Sequence, residues 1–240
     1  PPLTDLFQFI YVDVRGGWTS TGNPSDITFD VLADDLEAVR RAVGVERVAV
    51  LGYSILGVLA IEYSRRCPGR VSHVIAAGTP PTGDMQQMVK AGTAFFEADG
   101  SEDRKAILKE NCAKLPPGTP PEAAVFAQTP MRFFDPRFNA VPLFAEAEFN
   151  PQLFERVLGL TSIWDVRAAG EQLRVPILIA HGRYDYVVPY TMWTGITETL
   201  PDATLHLFDR SGHQTFFEEP ERFAEVARAW MARAAQSAQQ

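Results

Sequence analysis

Two cysteines, Cys67 and Cys112, are all that 240 residues contain. Two thiols make no disulfide framework, so a stapled secreted scaffold is excluded and both are read as buried or idle. Histidine is nearly as scarce. His73, His181, His206 and His213 are the four, and no two stand at metal-ligand spacing, so neither a metal nor a cofactor is expected. No run of about 18 apolar residues exists to make a membrane-spanning helix. Basic side chains are outnumbered, 22 Lys and Arg against 30 Asp and Glu, and the formal charge of -8 argues against a nucleic-acid partner, because phosphate binding needs a basic face. No secretory signal pattern opens the chain, and repeats are lacking. The only low-complexity stretch is the small polar tail from Ala234 to Gln240. A cytoplasmic location is the expectation, and self-association stays open.

What is present is an ordinary globular balance, 46% hydrophobic and 22% charged, in a length that allows one large domain or one domain with an insertion. Phe9 to Val12 reads as a buried strand and residues 18–27 as a polar loop. Thr28 reads as the N-cap of a helix striped by Val31, Leu32, Leu36, Val39 and Val43, with Gly44 fit to end it. Val48 to Leu51 reads as a fully buried strand, residues 55–66 as a helix ended by Pro68-Gly69, and Val71 to Ala76 as a strand. This alternation implies a parallel sheet with right-handed crossovers.

Residues 79–174 break the rhythm with helical patches around 85–98, 101–113, 121–129 and 151–160 and no convincing strand. They also hold nine of the sixteen phenylalanines. Most of these are expected in an aromatic core and a few in an apolar pocket. Pro176 to Ala180 then reads as a buried strand, 189–199 as helical, Thr204 to Phe208 as a strand, and Pro220 to Ala232 as an amphipathic helix. The expected organisation is an α/β core of residues 1–78 and 175–240 with a helical cap at 79–174.

Three polar residues follow three strands. Gly52-Tyr53-Ser54 forms a sharp strand-to-helix turn, with Ser54 at the start of the helix. Asp185 follows the strand at 176–180, and His213 follows the strand at 204–208. The carboxyl ends of parallel strands share one edge, where ligands gather. A serine hydroxyl is a weak nucleophile until a base takes its proton. Histidine is that base near neutral pH, and a carboxylate fixes its tautomer. Taken singly, the three read as an N-cap serine, a loop aspartate and a loop histidine. Asp209 and Asp165 are the competing carboxylates. Asp209 is expected to pair with a neighbour such as Arg210, and Asp165 to sit at the surface.

From about residue 5 to residue 233 the chain resembles the α/β-hydrolase superfamily, in the branch of proline iminopeptidases and related esterases. The resemblance rests on the Asp13-x-Arg15-Gly16 turn, the serine turn, Gly182-Arg183-Tyr184-Asp185, and Ser211-Gly212-His213 followed by Glu218 and Pro220. It implies an α/β-hydrolase fold, a mostly parallel sheet flanked by helices with an inserted helical cap. It also implies Ser54 as nucleophile, Asp185 as acid, His213 as base and the Ile55 N–H as one oxyanion donor. Tyr53, Trp18, Phe133 and Phe134 are expected at the substrate site, although Trp18 also reads as a packed loop anchor.

Three departures from the family pattern stand out. Leu56 occupies the usual glycine position, with Gly57 one residue late, and is expected to crowd the turn. Trp18 replaces a glycine. The family's earlier strands and its H-G-G-P-G-type loop, source of the second oxyanion donor, do not precede Pro1, so the sequence is expected to be a partial one with an open sheet edge.

The expected activity is acyl-enzyme hydrolysis of a small ester, lactone or amide with an apolar part. An iminopeptidase is the alternative, with Glu146, Glu148 and Glu155 as candidates to hold a free amino group. A haloperoxidase or C–C bond hydrolase, and a non-catalytic binding module on the same scaffold, are the remaining readings.

Overall fold

The computed structural model describes residues 2–17, 19–119, 125–144 and 148–237. Trp18, Glu146 and part of the helical patch at 121–129 lie outside the described residues. Among the described residues four parallel strands form the sheet, in the order β1 (Val48–Tyr53), β2 (Val71–Ala77), β3 (Ile177–Gly182) and β4 (Ala203–Phe208). Strand neighbours follow chain order, so each connection is a crossover to the adjacent parallel strand.

Side-chain alternation divides the sheet into two cores. Val74, Ala76, Ile177 and Ile179 face one side, with Val58, Ile61 and Tyr63 of helix α2 (Ile55–Arg66) and with Trp164, Leu173 and Trp193. Ile75, Ala77, Leu178 and Ala180 face the other. There the long closing helix Pro220–Ser237 contributes Phe223, Ala224, Ala227 and Trp230. Helix α1 (Phe29–Val43) starts at Thr28, whose hydroxyl accepts from the Val31 N–H, and stops at left-handed Gly44, as its sequence suggests.

Between β2 and β3 run α3 (Met85–Asp99), α4 (Glu102–Ala113), α5 (Thr129–Arg132), α6 (Pro151–Thr161) and α7 (Val166–Ala169). Asp99 ties α3 to the sheet rim through Arg183 at 2.7 Å and the Tyr186 hydroxyl at 2.8 Å. The aromatic content is mainly packing. Phe95 and Phe96 close on Tyr186, and Phe133 closes on Phe138 with ring centroids 4.6 Å apart.

Several expectations need correction. Phe9 to Val12 forms no strand, and Tyr11 is 84% exposed. An apolar run becomes a strand only where a neighbour takes its N–H and C=O groups, and β1 pairs only with β2 among the described residues. β1 itself is not fully buried, since Ala49 and Leu51 stand exposed. Residues 189–199 form two short 3-10 turns, Tyr190–Trp193 and Thr197–Thr199, interrupted by left-handed Gly195.

Candidate active site

Ser54 ends the turn between β1 and α2 with φ 53° and ψ -132°, the only positive φ on a non-glycine among the described residues. Such a conformation costs about 1–3 kcal/mol and persists where its surroundings enforce it. The enforcement is visible. The Ser54 N–H donates to the Ala77 carbonyl at 2.8 Å, extending the β1–β2 ladder into the turn, while Gly57 N–H donates back to the Ser54 carbonyl at 2.9 Å. Helix and strand approach closely here. A Cβ on Gly52 would lie 2.5 Å from the Gly57 Cα, and a Cβ on Gly57 would lie 1.8 Å from the Thr79 hydroxyl.

Leu56 therefore does not crowd the turn. It points outward, 41% exposed, and Gly57 takes the close contact instead. The α-helix repeat turns successive side chains by about 100°, so the contact face falls on one of two adjacent positions.

The Ser54 side chain caps nothing in α2, which removes the N-cap explanation. Its Oγ lies 3.0 Å from Nε2 of His213. Nδ1 of the same ring lies 2.7 Å from Oδ2 of Asp185. Asp185 is fully buried, and its other oxygen accepts from the N–H groups of Val187 at 3.0 Å and Val188 at 2.9 Å. Those two bonds and the imidazole hold the carboxylate in one orientation. His213 is 2% exposed, and its N–H donates to the Arg132 carbonyl at 2.7 Å. Gly212 permits that approach, since a Cβ there would lie 2.2 Å from the same oxygen. Ile55 opens α2, where first-turn N–H groups lack an intrahelical acceptor and the helix dipole favours negative charge.

The remaining expected residues fall elsewhere. Tyr53 packs behind the imidazole, its ring centroid 5.0 Å from that of His213 and 5.4 Å from that of Phe216. Burial raises its phenol pKa and keeps it neutral. Phe133 is 1% exposed, and Phe134 meets Tyr184 edge-on at 5.0 Å. Both border a cleft of about 610 Å³ shared with Phe138, Arg210, Phe217 and Glu218, which none of Ser54, Asp185 and His213 lines. Three backbone carbonyls held by a buried arginine fix their segment. The Arg104 guanidinium donates to the carbonyls of Pro130, Phe133 and Phe134.

Asp165 caps α7 and pairs with Arg167. Glu148 and Glu155 are exposed. His181 is buried beside Asp185, 3.9 Å from Nδ1 to Oδ2, and its Nε2 meets the Thr79 carbonyl at 3.0 Å. Burial holds its pKa below the usual histidine value, which keeps the ring neutral. Among the described residues no cluster of three His, Cys, Asp or Glu side chains is arranged around a metal position, and no helix is long and apolar enough to cross a membrane.

Glu218 is a member of the site that its motif position did not explain. One oxygen accepts from the Phe134 N–H and the other from the Gly212 N–H, both at 2.7 Å, so it clamps the segment after α5 to the loop carrying His213. Burial pushes its carboxyl up to about 7, against the pull of those N–H groups, and the charge of Asp185 adds to the rise.

A family model described as "Alpha/beta hydrolase family" matches residues 6–226. An AB hydrolase superfamily protein of Bacillus subtilis, YclE, is 29% identical over 95% of this chain and 85% of its own length. A pimeloyl-[acyl-carrier protein] methyl ester esterase of Aromatoleum aromaticum is 26% identical over 86% of this chain and 80% of its own. Among solved structures, the proline iminopeptidase of Mycobacterium smegmatis superposes with a TM-score of 0.67 at 22% identity, covering 90% of this chain and 75% of that one.

Proposed function

The chain belongs to the alpha/beta hydrolase family, and on that premise we propose that it is a serine hydrolase of small carboxylic esters working through an acyl-enzyme. Ser54, Asp185 and His213 are the triad of this reading, and the Ile55 N–H is an oxyanion donor. Residues 79–174 serve as a cap on the core of residues 1–78 and 175–240.

One observation carries the proposal: a strained serine that caps nothing stands 3.0 Å from an imidazole whose far nitrogen is 2.7 Å from a sealed carboxylate. His213 Nε2 takes the Ser54 proton as Oγ attacks the ester carbonyl. The tetrahedral oxyanion forms against the N-terminus of α2. The imidazolium, steadied by Asp185, gives its proton to the leaving alkoxide as the C–O bond breaks. Water then enters, loses a proton to His213, and attacks the acyl carbon. The acid leaves, and Ser54 recovers its proton.

Esters are preferred over N-terminal amides because Glu148 and Glu155 lie in solvent and so give no buried carboxylate for a free amino group. A methyl ester esterase among the relatives agrees with this preference. A fluorophosphonate probe is expected to label Ser54 and to lose its target in Ser54→Ala. A folded protein that never labels would overturn the reading. p-Nitrophenyl esters set against prolyl-naphthylamide then separate esterase from peptidase.

A further inference from the structure

A guanidinium taken out of water is expensive unless acceptors replace its hydration. The buried arginines among the described residues are answered. Arg40 pairs with Glu37 at 2.8 Å, and Arg104 donates to three backbone carbonyls. Arg132 is not. Its one side-chain bond is from Nη2 to the Gln128 amide oxygen at 3.3 Å. Its Nε is sealed from solvent with no acceptor, and it joins no ion pair among the described residues.

The location of this cation is informative. Arg132 ends α5, and its carbonyl receives the His213 N–H, so its backbone adjoins the triad base. Burial pulls the pKa of its guanidinium down, and the carboxylate of Asp185 is the charge that opposes the pull. A cation kept at the triad without a carboxylate of its own is a seat for an anion. Long-range attraction cannot bring that anion, because the chain carries a net charge of -8. Recognition then has to be local, and the planar fork of arginine matches a carboxylate with two parallel hydrogen bonds.

We propose that Arg132 is a specificity residue that binds a free carboxylate on the acyl part of the substrate, so that the preferred substrates are hemiesters of short dicarboxylic acids. The proposal rests on the serine hydrolase reading for its catalytic consequence but not for the binding itself. Two measurements keep them apart.

The first compares 4-nitrophenyl hemiesters of succinate, glutarate and adipate with 4-nitrophenyl pentanoate, in the wild-type protein, Arg132→Met and Arg132→Lys. In wild type the best hemiester is expected to exceed the neutral ester in kcat/KM. In Arg132→Met that ratio falls roughly ten- to hundred-fold, the worth of a hydrogen bond to a charged group, mainly through KM. Arg132→Lys recovers part of it. An equal loss for both ester classes with a shifted pH profile would mean that Arg132 acts on Asp185 instead, and would overturn the proposal, as would an unchanged ratio.

The second measures glutarate binding by calorimetry, with folding of each variant checked by its melting curve. Arg132-dependent binding in a protein that never labels with fluorophosphonate would keep the anion seat and sink the hydrolase reading. Labelling without Arg132-dependent glutarate binding or hemiester preference would do the reverse.

Discussion

β1 and β3 are both six-residue apolar strands, and each delivers a residue to the site, yet they live in different surroundings. All six positions of β3 are buried, whereas β1 alternates and leaves Ala49 and Leu51 open. Nothing in VAVL against ILIA separates them. The difference is company. β3 is flanked by β2 and β4 and covered on both faces, while β1 has β2 alone among the described residues. The contrast passes to the residues they carry. Asp185 is sealed and held by three hydrogen bonds, and Ser54 is half-buried just past a strand that has one neighbour among the described residues. One half of the site is fixed by burial, the other by backbone geometry.

The largest effects should come at the two strand ends. Ser54→Ala and Asp185→Asn are each expected to lower ester turnover by about 10⁴-fold or more. Stability separates the two halves. Ser54→Ala should melt like wild type, whereas Asp185→Ala strands the N–H groups of Val187 and Val188 and should lose about 1–3 kcal/mol per unsatisfied donor. Equal melting curves for the two alanine variants would erase the contrast.

Along the strands themselves, Leu178→Ala should cost about 2–5 kcal/mol by urea denaturation, and Leu51→Ala less than about 1. At the turn, Gly57→Ala presses a methyl onto Thr79 and should cost about 1–3 kcal/mol, partly restored by Thr79→Ala. Leu56→Gly, which restores the family spacing, should bring no gain. It removes an exposed side chain from a helix and should cost about 0.5–1 kcal/mol through backbone entropy.

Two carboxylates sharpen the same comparison through pH. Glu37, on α1, is drawn down to about 2 by Arg40 and by the Tyr63 hydroxyl. Its folded pKa lies below the unfolded value of 4.5, so its contribution is present above pH 4.5 and is lost as pH falls toward 2. Glu218 runs the other way. Its folded pKa of about 7 lies above 4.5, so the native state holds the proton more tightly and stability declines as pH rises from 4.5 to 7. Glu218→Gln should flatten that decline, by about 1–2 kcal/mol after discounting for partial exposure. A melting temperature that falls equally with pH in the variant would assign the decline elsewhere.

Much of the site was legible before any coordinates. A serine in a strand-to-helix turn, an aspartate and a histidine after two later strands, and their chain order all pointed to one rim, because parallel strands present their carboxyl ends together. The readings that needed correction share a cause. Phe9 to Val12 looks like a strand, but hydrophobicity cannot say whether a partner strand stands beside it. Leu56 looks like a residue that crowds the turn, but which of two adjacent helix positions meets the strand depends on how the helix packs. Glu218 was marked by its motif but its clamp on Phe134 was not, and neither was the meeting of Arg132 with His213, since each joins residues more than 80 apart in the chain.

The sequence by itself determined the alternation of strands and helices, the helix ends at Thr28 and Gly44, and which side chains have the chemistry for acyl transfer, because these depend on local periodicity and residue type. Only the tertiary structure decided that Ser54 adopts a positive φ, that Gly57 rather than position 56 takes the close contact, and that Arg132, whose Nε has no acceptor among the described residues, meets the His213 N–H through its carbonyl. Those are contacts between distant segments, and their energies exist only once packing has brought the segments within a few ångströms of each other.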